Sequence, residues 1–65
     1  MVKYPEIIVE LTGKDGNAFN ILAICRNAMR EADLPRSEIE AFTTEATSGD
    51  YNHLLVTCTE WFNVE

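Results

Sequence analysis

EIIVELT, residues 6–12, is the one stretch of this 65-residue chain with a clear strand pattern. Ile7, Val9 and Leu11 alternate with mostly polar residues, and this period of two is typical of a strand with one buried and one wet face. Ile8 interrupts the wet face, which fits a strand that is partly covered on both sides. A lone strand leaves backbone N–H and C=O groups unpaired, and these need a partner.

The first helical pattern follows a turn at residues 13–17. Asp15 or Asn17 is a candidate N-cap, and Leu34-Pro35 predicts the end, because the residue before proline is disfavoured in the α conformation. Apolar residues recur on one side at the 3.6-residue period. This stripe consists of Ala18, Ile21, Leu22, Cys25, Ala28, Met29 and Ala32.

Two shorter helices are predicted after Pro35. Ser37 and Glu40 have the spacing of a capping box, and Gly49 suits a left-handed residue after the end of this second helix. Asp50 is a candidate cap for a third helix. The apolar positions are Ile39, Phe42 and Ala46 in the second helix and Tyr51, Leu54, Leu55, Cys58, Trp61 and Phe62 in the third.

Residues 54–59 also admit a strand interpretation, because Val56, Thr57 and Thr59 favour strands. The adjacent pairs Leu54-Leu55 and Trp61-Phe62 break strict alternation, so we prefer a helix. The tail 62–65 is then the one intrachain candidate to pair with the first strand. The prediction is a single α+β domain over 1–65, with three helices packed on the strand in the order β-α-α-α-(β).

Composition excludes several classes of partner. The net charge is −6, from eleven acidic and five basic residues, which opposes direct binding to nucleic acid or to an anionic membrane. No apolar run approaches the roughly 18 residues of a membrane-spanning helix, and the N-terminus lacks a signal-peptide pattern, so we expect a cytoplasmic protein.

Two motifs carry a family resemblance. They are TGKDGNAF, residues 12–19, and EATSGDYNHLL, residues 45–55. With the ending around Trp61, they resemble a group of small bacterial and phage-encoded proteins of much the same length. The resemblance implies helical structure after Gly49 and residence in a mobile element. The group has no assigned activity, so the resemblance implies no functional residues.

The turn after the strand is a candidate anion site. Gly13, Lys14, Gly16 and Asn17 stand where a strand meets a helix N-terminus, whose free N–H groups attract anions. Asp15 opposes this, and the spacing is not that of a P-loop. We therefore prefer a structural turn in which Asn17 caps the helix.

Cysteine and histidine give little support to catalysis or metal binding. Cys25 and Cys58 each fall on an apolar stripe, which predicts buried core thiols. His53 is five residues from Cys58 and so on a different helix face, although the residues alone leave a pairing with Cys25 open. Two Cys and one His fall short of a zinc set. We expect no enzymatic activity, no cofactor and no metal ion.

Charged clusters offer further candidates. Glu38, Glu40 and Glu45 surround the second helix, either as a solvated face or as an acidic face for a basic partner. Arg26 and Arg30 form a small basic patch, which intramolecular or dimer ion pairs explain better than nucleic acid does.

Surplus apolar residues predict an interface. Phe19, Ile24 and either Trp61 or Phe62 are hard to place together on the inner stripes, and an exposed apolar patch marks binding surfaces. We predict a non-enzymatic, self-associating protein–protein interaction module. The predicted interface residues are Ile8, Glu10, Phe19, Ile24 and Trp61. The alternatives are a mobile-element regulator that uses the acidic face and a small-ligand binder at the turn.

Overall fold

The computed structural model describes residues 1–11 and 16–65, which form two strands and three helices. The elements are β1 (Tyr4–Val9), α1 (Ala18–Glu31), α2 (Arg36–Ala46), α3 (Tyr51–Trp61) and β2 (Phe62–Val64). The predicted α+β fold and its element order are confirmed, including the short C-terminal strand. The helical interpretation of residues 54–59 is confirmed as well.

The sheet pairs β1 with β2 in parallel. Ile8 aligns with Asn63 and Val9 with Val64, and an irregularity in β1 separates this register from the pairing of Tyr4 with Phe62. β1 begins two residues before the predicted strand and ends at Val9. Pairing nevertheless continues past that end, since the Leu11 N–H donates to the Glu65 carbonyl at 2.7 Å.

Side-chain and backbone caps fix the ends of α1 and α3. Asn17 accepts from the Phe19 N–H at 2.8 Å, and Asp50 accepts from the His53 N–H at 2.9 Å, as the sequence predicts. After α1, Asp33 takes a positive φ of 60°. The Leu34 N–H then donates back to the Met29 carbonyl at 3.1 Å, which completes a Schellman-type helix end.

The predicted capping box on α2 is wrong. Pro35, with ψ of 155°, already supplies the extended backbone of an N-cap, so the helix starts at Arg36 and Ser37 lies inside the first turn. The structure shows no side-chain hydrogen bond at this cap. Glu40 instead accepts from Arg36 Nε at 2.9 Å.

Gly49 has a different role from the one predicted. α2 ends at Ala46, and the left-handed backbone expected at Gly49 is not observed. The position stays small because a Cβ there would come within 2.9 Å of the His53 side chain. Gly49 therefore serves close packing in the loop between α2 and α3.

The core lies between the sheet and the three helices. Its centre is aromatic, with Phe42 at 5.4 Å from Trp61 and 5.1 Å from Phe62 between ring centroids. Adjacent residues of one helix point about 100° apart, but here the chain changes from helix to strand between Trp61 and Phe62. Both rings can therefore face the core.

Candidate protein interface

The two edges of β1 differ in their hydrogen bonding. On the inner edge, the Val9 carbonyl accepts from the Glu65 N–H at 2.8 Å, and the Leu11 N–H donates to Glu65. Backbone groups of successive strand residues point to opposite edges, so the N–H and C=O groups of Ile8 and Glu10 point away from β2. Within residues 1–11 and 16–65 the sheet has two strands, and none lies along this outer edge.

The wet face of β1 presents an apolar residue between two acids. Ile7 and Val9 are buried against the helices, whereas the Ile8 side chain is 56% exposed. Glu6 and Glu10 are exposed on the same face as Ile8. We use the name β1 edge for the outer edge of β1 together with this face, which carries Glu6, Ile8 and Glu10 in that order.

The predicted interface residues do not form one surface. Ile8, Glu10 and Phe19 are exposed, and the exposed fraction of Phe19 reaches 82%. Ile24 is half-buried and packs against the core. Trp61 is only 9% exposed and belongs to the core, so its side chain does not contribute an exposed apolar surface.

A groove that the sequence does not signal lies beside Phe19. It has a volume of about 270 Å³ and runs between the start of α1 and the loop before α3. Leu22 and Tyr51 contribute apolar surface to it, and Tyr51 is 44% exposed. Phe19 and Tyr51 belong to elements that are far apart in sequence, so no sequence pattern predicts that they line the same groove.

The three acids of the predicted acidic face each have a partner. Glu38 accepts from the Tyr4 hydroxyl and lies 3.7 Å from Lys3 Nζ. Glu40 pairs with Arg36, and Glu45 Oε2 lies 3.0 Å from His53 Nε2. Glu40 and Glu45 line one depression on α2, of which Glu38 is not part. The ion pairs of Glu38 with Lys3 and of Glu40 with Arg36 reduce the charge available to an incoming basic partner.

His53, Glu45 and Ser48 superficially suggest a catalytic triad. His53 Nε2 is 3.1 Å from Ser48 Oγ and 3.0 Å from Glu45 Oε2, so both groups meet the same ring nitrogen. A triad needs the serine on one ring nitrogen and the acid on the other. Nε2 also lies 3.0 Å from the Glu45 carbonyl, and the cluster joins the start of α3 to the end of α2.

The predicted anion turn is described only in part. Gly13 and Lys14 lie outside the described residues, whereas Gly16 and Asn17 are exposed. Asn17 accepts from the N–H groups of both Phe19 and Asn20. Its own side chain thus satisfies N–H groups that an anion at this helix end would need.

The basic patch extends further than the sequence indicates. Arg26 and Arg30 of α1 line a groove of about 400 Å³ that also includes Arg36 of α2. Arg30 donates to Asn27 Oδ1 at 3.0 Å. The Arg26 Nε atom is buried and has no hydrogen-bond partner among the described residues.

The described residues hold neither a metal-binding cluster nor a membrane-spanning helix. Across residues 1–11 and 16–65, no group of three or more His, Cys, Asp or Glu side chains is placed to hold a metal ion. Among those residues no helix combines the length and apolar character needed to cross a membrane. Comparison of the chain with protein families, curated proteins and solved structures finds no match. The resemblance to phage-encoded proteins therefore stays a prediction.

Proposed function

We propose that this chain is a non-enzymatic, cytoplasmic protein–protein interaction module that accepts an extended segment of another protein at the β1 edge. The observation that carries the proposal is the difference in backbone hydrogen bonding between the two edges of β1. β2 pairs with the inner edge, while the outer edge has backbone groups without a neighbouring strand among the described residues. Strand addition uses such groups for affinity and the alternating side chains for specificity.

The charge of the wet face favours a basic partner over a second copy. Two-fold antiparallel pairing of β1 centred on Ile8 would place Glu6 directly opposite Glu10 of the second copy, and like charges at such positions are destabilising. A segment with an apolar residue between lysines or arginines would place opposite charges there instead. The net charge of −6 also favours the encounter with a basic partner.

Self-association remains the competing outcome, because the same open edge and the exposed Phe19 motivate it. It differs in its response to salt. Pairing between two acidic edges should strengthen as salt screens their repulsion, whereas binding of a basic segment should weaken.

The test is the binding of a fluorescently labelled peptide that alternates lysine and isoleucine, followed by anisotropy. The substitution Glu10→Pro removes an N–H from the outer edge, where proline is otherwise tolerated. Glu10→Gln removes the charge and keeps the N–H, so it is the matched control. We expect Glu10→Pro to abolish binding, Glu10→Gln to weaken it, and a glutamate–isoleucine peptide not to bind.

Two results would overturn the proposal. One is equal binding of the basic peptide by the Glu10→Pro variant and the unsubstituted chain, or no binding by either. The other is a dimer in sedimentation at micromolar concentration that strengthens with salt and is lost in Glu10→Pro, which assigns the β1 edge to a second copy.

A further inference from the structure

The core holds two thiols that face each other. Cys25 of α1 and Cys58 of α3 are wholly buried, and their Sγ atoms are 3.6 Å apart. A disulfide bond has a length of about 2.05 Å, so the sulfurs need to approach by roughly 1.5 Å. The sequence places each cysteine on a core stripe, but only the packing of α1 on α3 brings them into contact.

We propose that Cys25 and Cys58 form a reversible redox site, which hydrogen peroxide oxidises to an intramolecular disulfide between α1 and α3 and which a dithiol reduces again. This inference is independent of the proposed function. It rests on the contact between the two sulfurs and on their location between two elements of a small domain.

The chemistry balances with hydrogen peroxide as the oxidant. One thiolate attacks the O–O bond, forms a sulfenic acid and releases hydroxide, which takes up the proton lost by that thiol and becomes water. The second thiol loses its proton and attacks the sulfenic sulfur. The S–S bond forms, the S–O bond breaks, and a second water leaves. Two thiols are oxidised by two electrons, and one peroxide is reduced to two waters.

The contact between the two thiols lets one of them assist the ionisation of the other. When Cys25 donates its S–H to Cys58, the hydrogen bond lowers the pKa of Cys58 below its ordinary value. The same hydrogen bond and burial raise the pKa of Cys25. With the donor role reversed the same argument applies to Cys25, so either sulfur can attack and the other then resolves the sulfenic acid.

The bond would restrain a domain that has a small core. It closes a long loop between residues 25 and 58, which reduces the conformational freedom of the unfolded chain. Chains of this size commonly need such a cross-link or another supplement. We expect the oxidised form to melt about 10 °C or more above the reduced form.

The experiment treats the folded chain with hydrogen peroxide and digests it with trypsin without reduction. Cleavage after Lys14, Arg26 and Arg36 leaves Cys25 in peptide 15–26 and Cys58 in peptide 37–65. We expect these two peptides to appear cross-linked, the intact mass to fall by two hydrogens, and dithiothreitol to reverse both changes together with the rise in melting temperature. Cys25→Ala and Cys58→Ala serve as controls that cannot form the bond.

Three results would overturn the proposal. They are two titratable thiols that survive peroxide treatment, cross-links between chains in place of the internal link, and an oxidised form that melts no higher than the reduced one. All three are read on the unsubstituted chain, so they do not depend on the folding of either alanine variant.

Discussion

Asp33 is the only non-glycine residue with a positive φ in the part of the chain that the structure describes. The left-handed conformation strains an L-residue, and glycine avoids that strain. A carboxylate at this position also lies beside the negative end of the α1 dipole. We expect Asp33→Gly to raise the free energy of unfolding by about 0.5–1 kcal/mol, because the relief of left-handed strain exceeds the entropic cost of glycine, measured by urea denaturation. Asp33→Ala is the control, and a glycine variant no more stable than the alanine variant would contradict this account.

Arg26 buries a hydrogen-bond donor at a cost to the stability of the fold. Its Nε atom is buried without a hydrogen-bond partner among the described residues. Methionine keeps an unbranched apolar stem and removes the buried donor, so we expect Arg26→Met to stabilise the fold by about 1 kcal/mol. Arg30→Met, on an exposed position of the same helix, should change stability by less than about 0.5 kcal/mol. Thermal melts of the two variants measure both effects. A loss of stability in Arg26→Met would refute the claim that the buried Nε atom destabilises the fold.

At the scale of elements, a hydroxyl–carboxylate contact joins β1 to α2. The Tyr4 hydroxyl donates to Glu38, and this hydrogen bond raises the pKa of Tyr4 above its ordinary value of 10.0, with smaller contributions from burial and from the charges of Glu38 and Glu6. The folded state thus holds the phenolic proton more tightly than the unfolded state. The resulting stabilisation is complete below pH 10 and is lost as the pH rises through the folded-state pKa.

Tyr4→Phe removes this contact and its pH dependence. We therefore expect the stability difference between the unsubstituted chain and Tyr4→Phe to be constant near neutral pH and to shrink above about pH 10. Urea denaturation at several pH values measures the difference. A difference that stays constant or grows in alkali would show that the hydroxyl is not held by Glu38.

The elements themselves were largely predictable, because short-range patterns govern them. Ile21, Cys25 and Met29 follow the helical period and are all buried, and Asp50 caps α3 as expected. The capping motif predicted Ser37 as the N-cap of α2. The N-cap is instead Pro35, whose backbone is extended, so the helix starts earlier than the motif indicates. The sequence predicted the tail as a possible strand. Its register against β1 depends on where the end of α3 lies in the folded chain, and no short-range pattern shows this.

At the scale of the whole molecule, the candidate interface was only partly predictable. Ile8 stands out because it breaks the alternation of its own strand, and it is exposed. The prediction for Trp61 assumed that Trp61 and Phe62 lie in one helix. The chain changes from helix to strand between them, so both side chains reach the core. The partners of Glu38 and Glu45 come from distant elements, so short-range sequence patterns did not predict these contacts.

Among residues 1–11 and 16–65 the fold closes one edge of β1 with β2 and leaves the other edge without a neighbouring strand. Amide hydrogen exchange, followed by NMR on a dilute sample, reads both edges at once. We predict strong protection of the Leu11 and Glu65 amides, which bond across the inner edge, and rapid exchange at Ile8 and Glu10, which becomes slow when the lysine–isoleucine peptide is added. Equal protection of all four amides in the dilute chain without peptide would contradict the account.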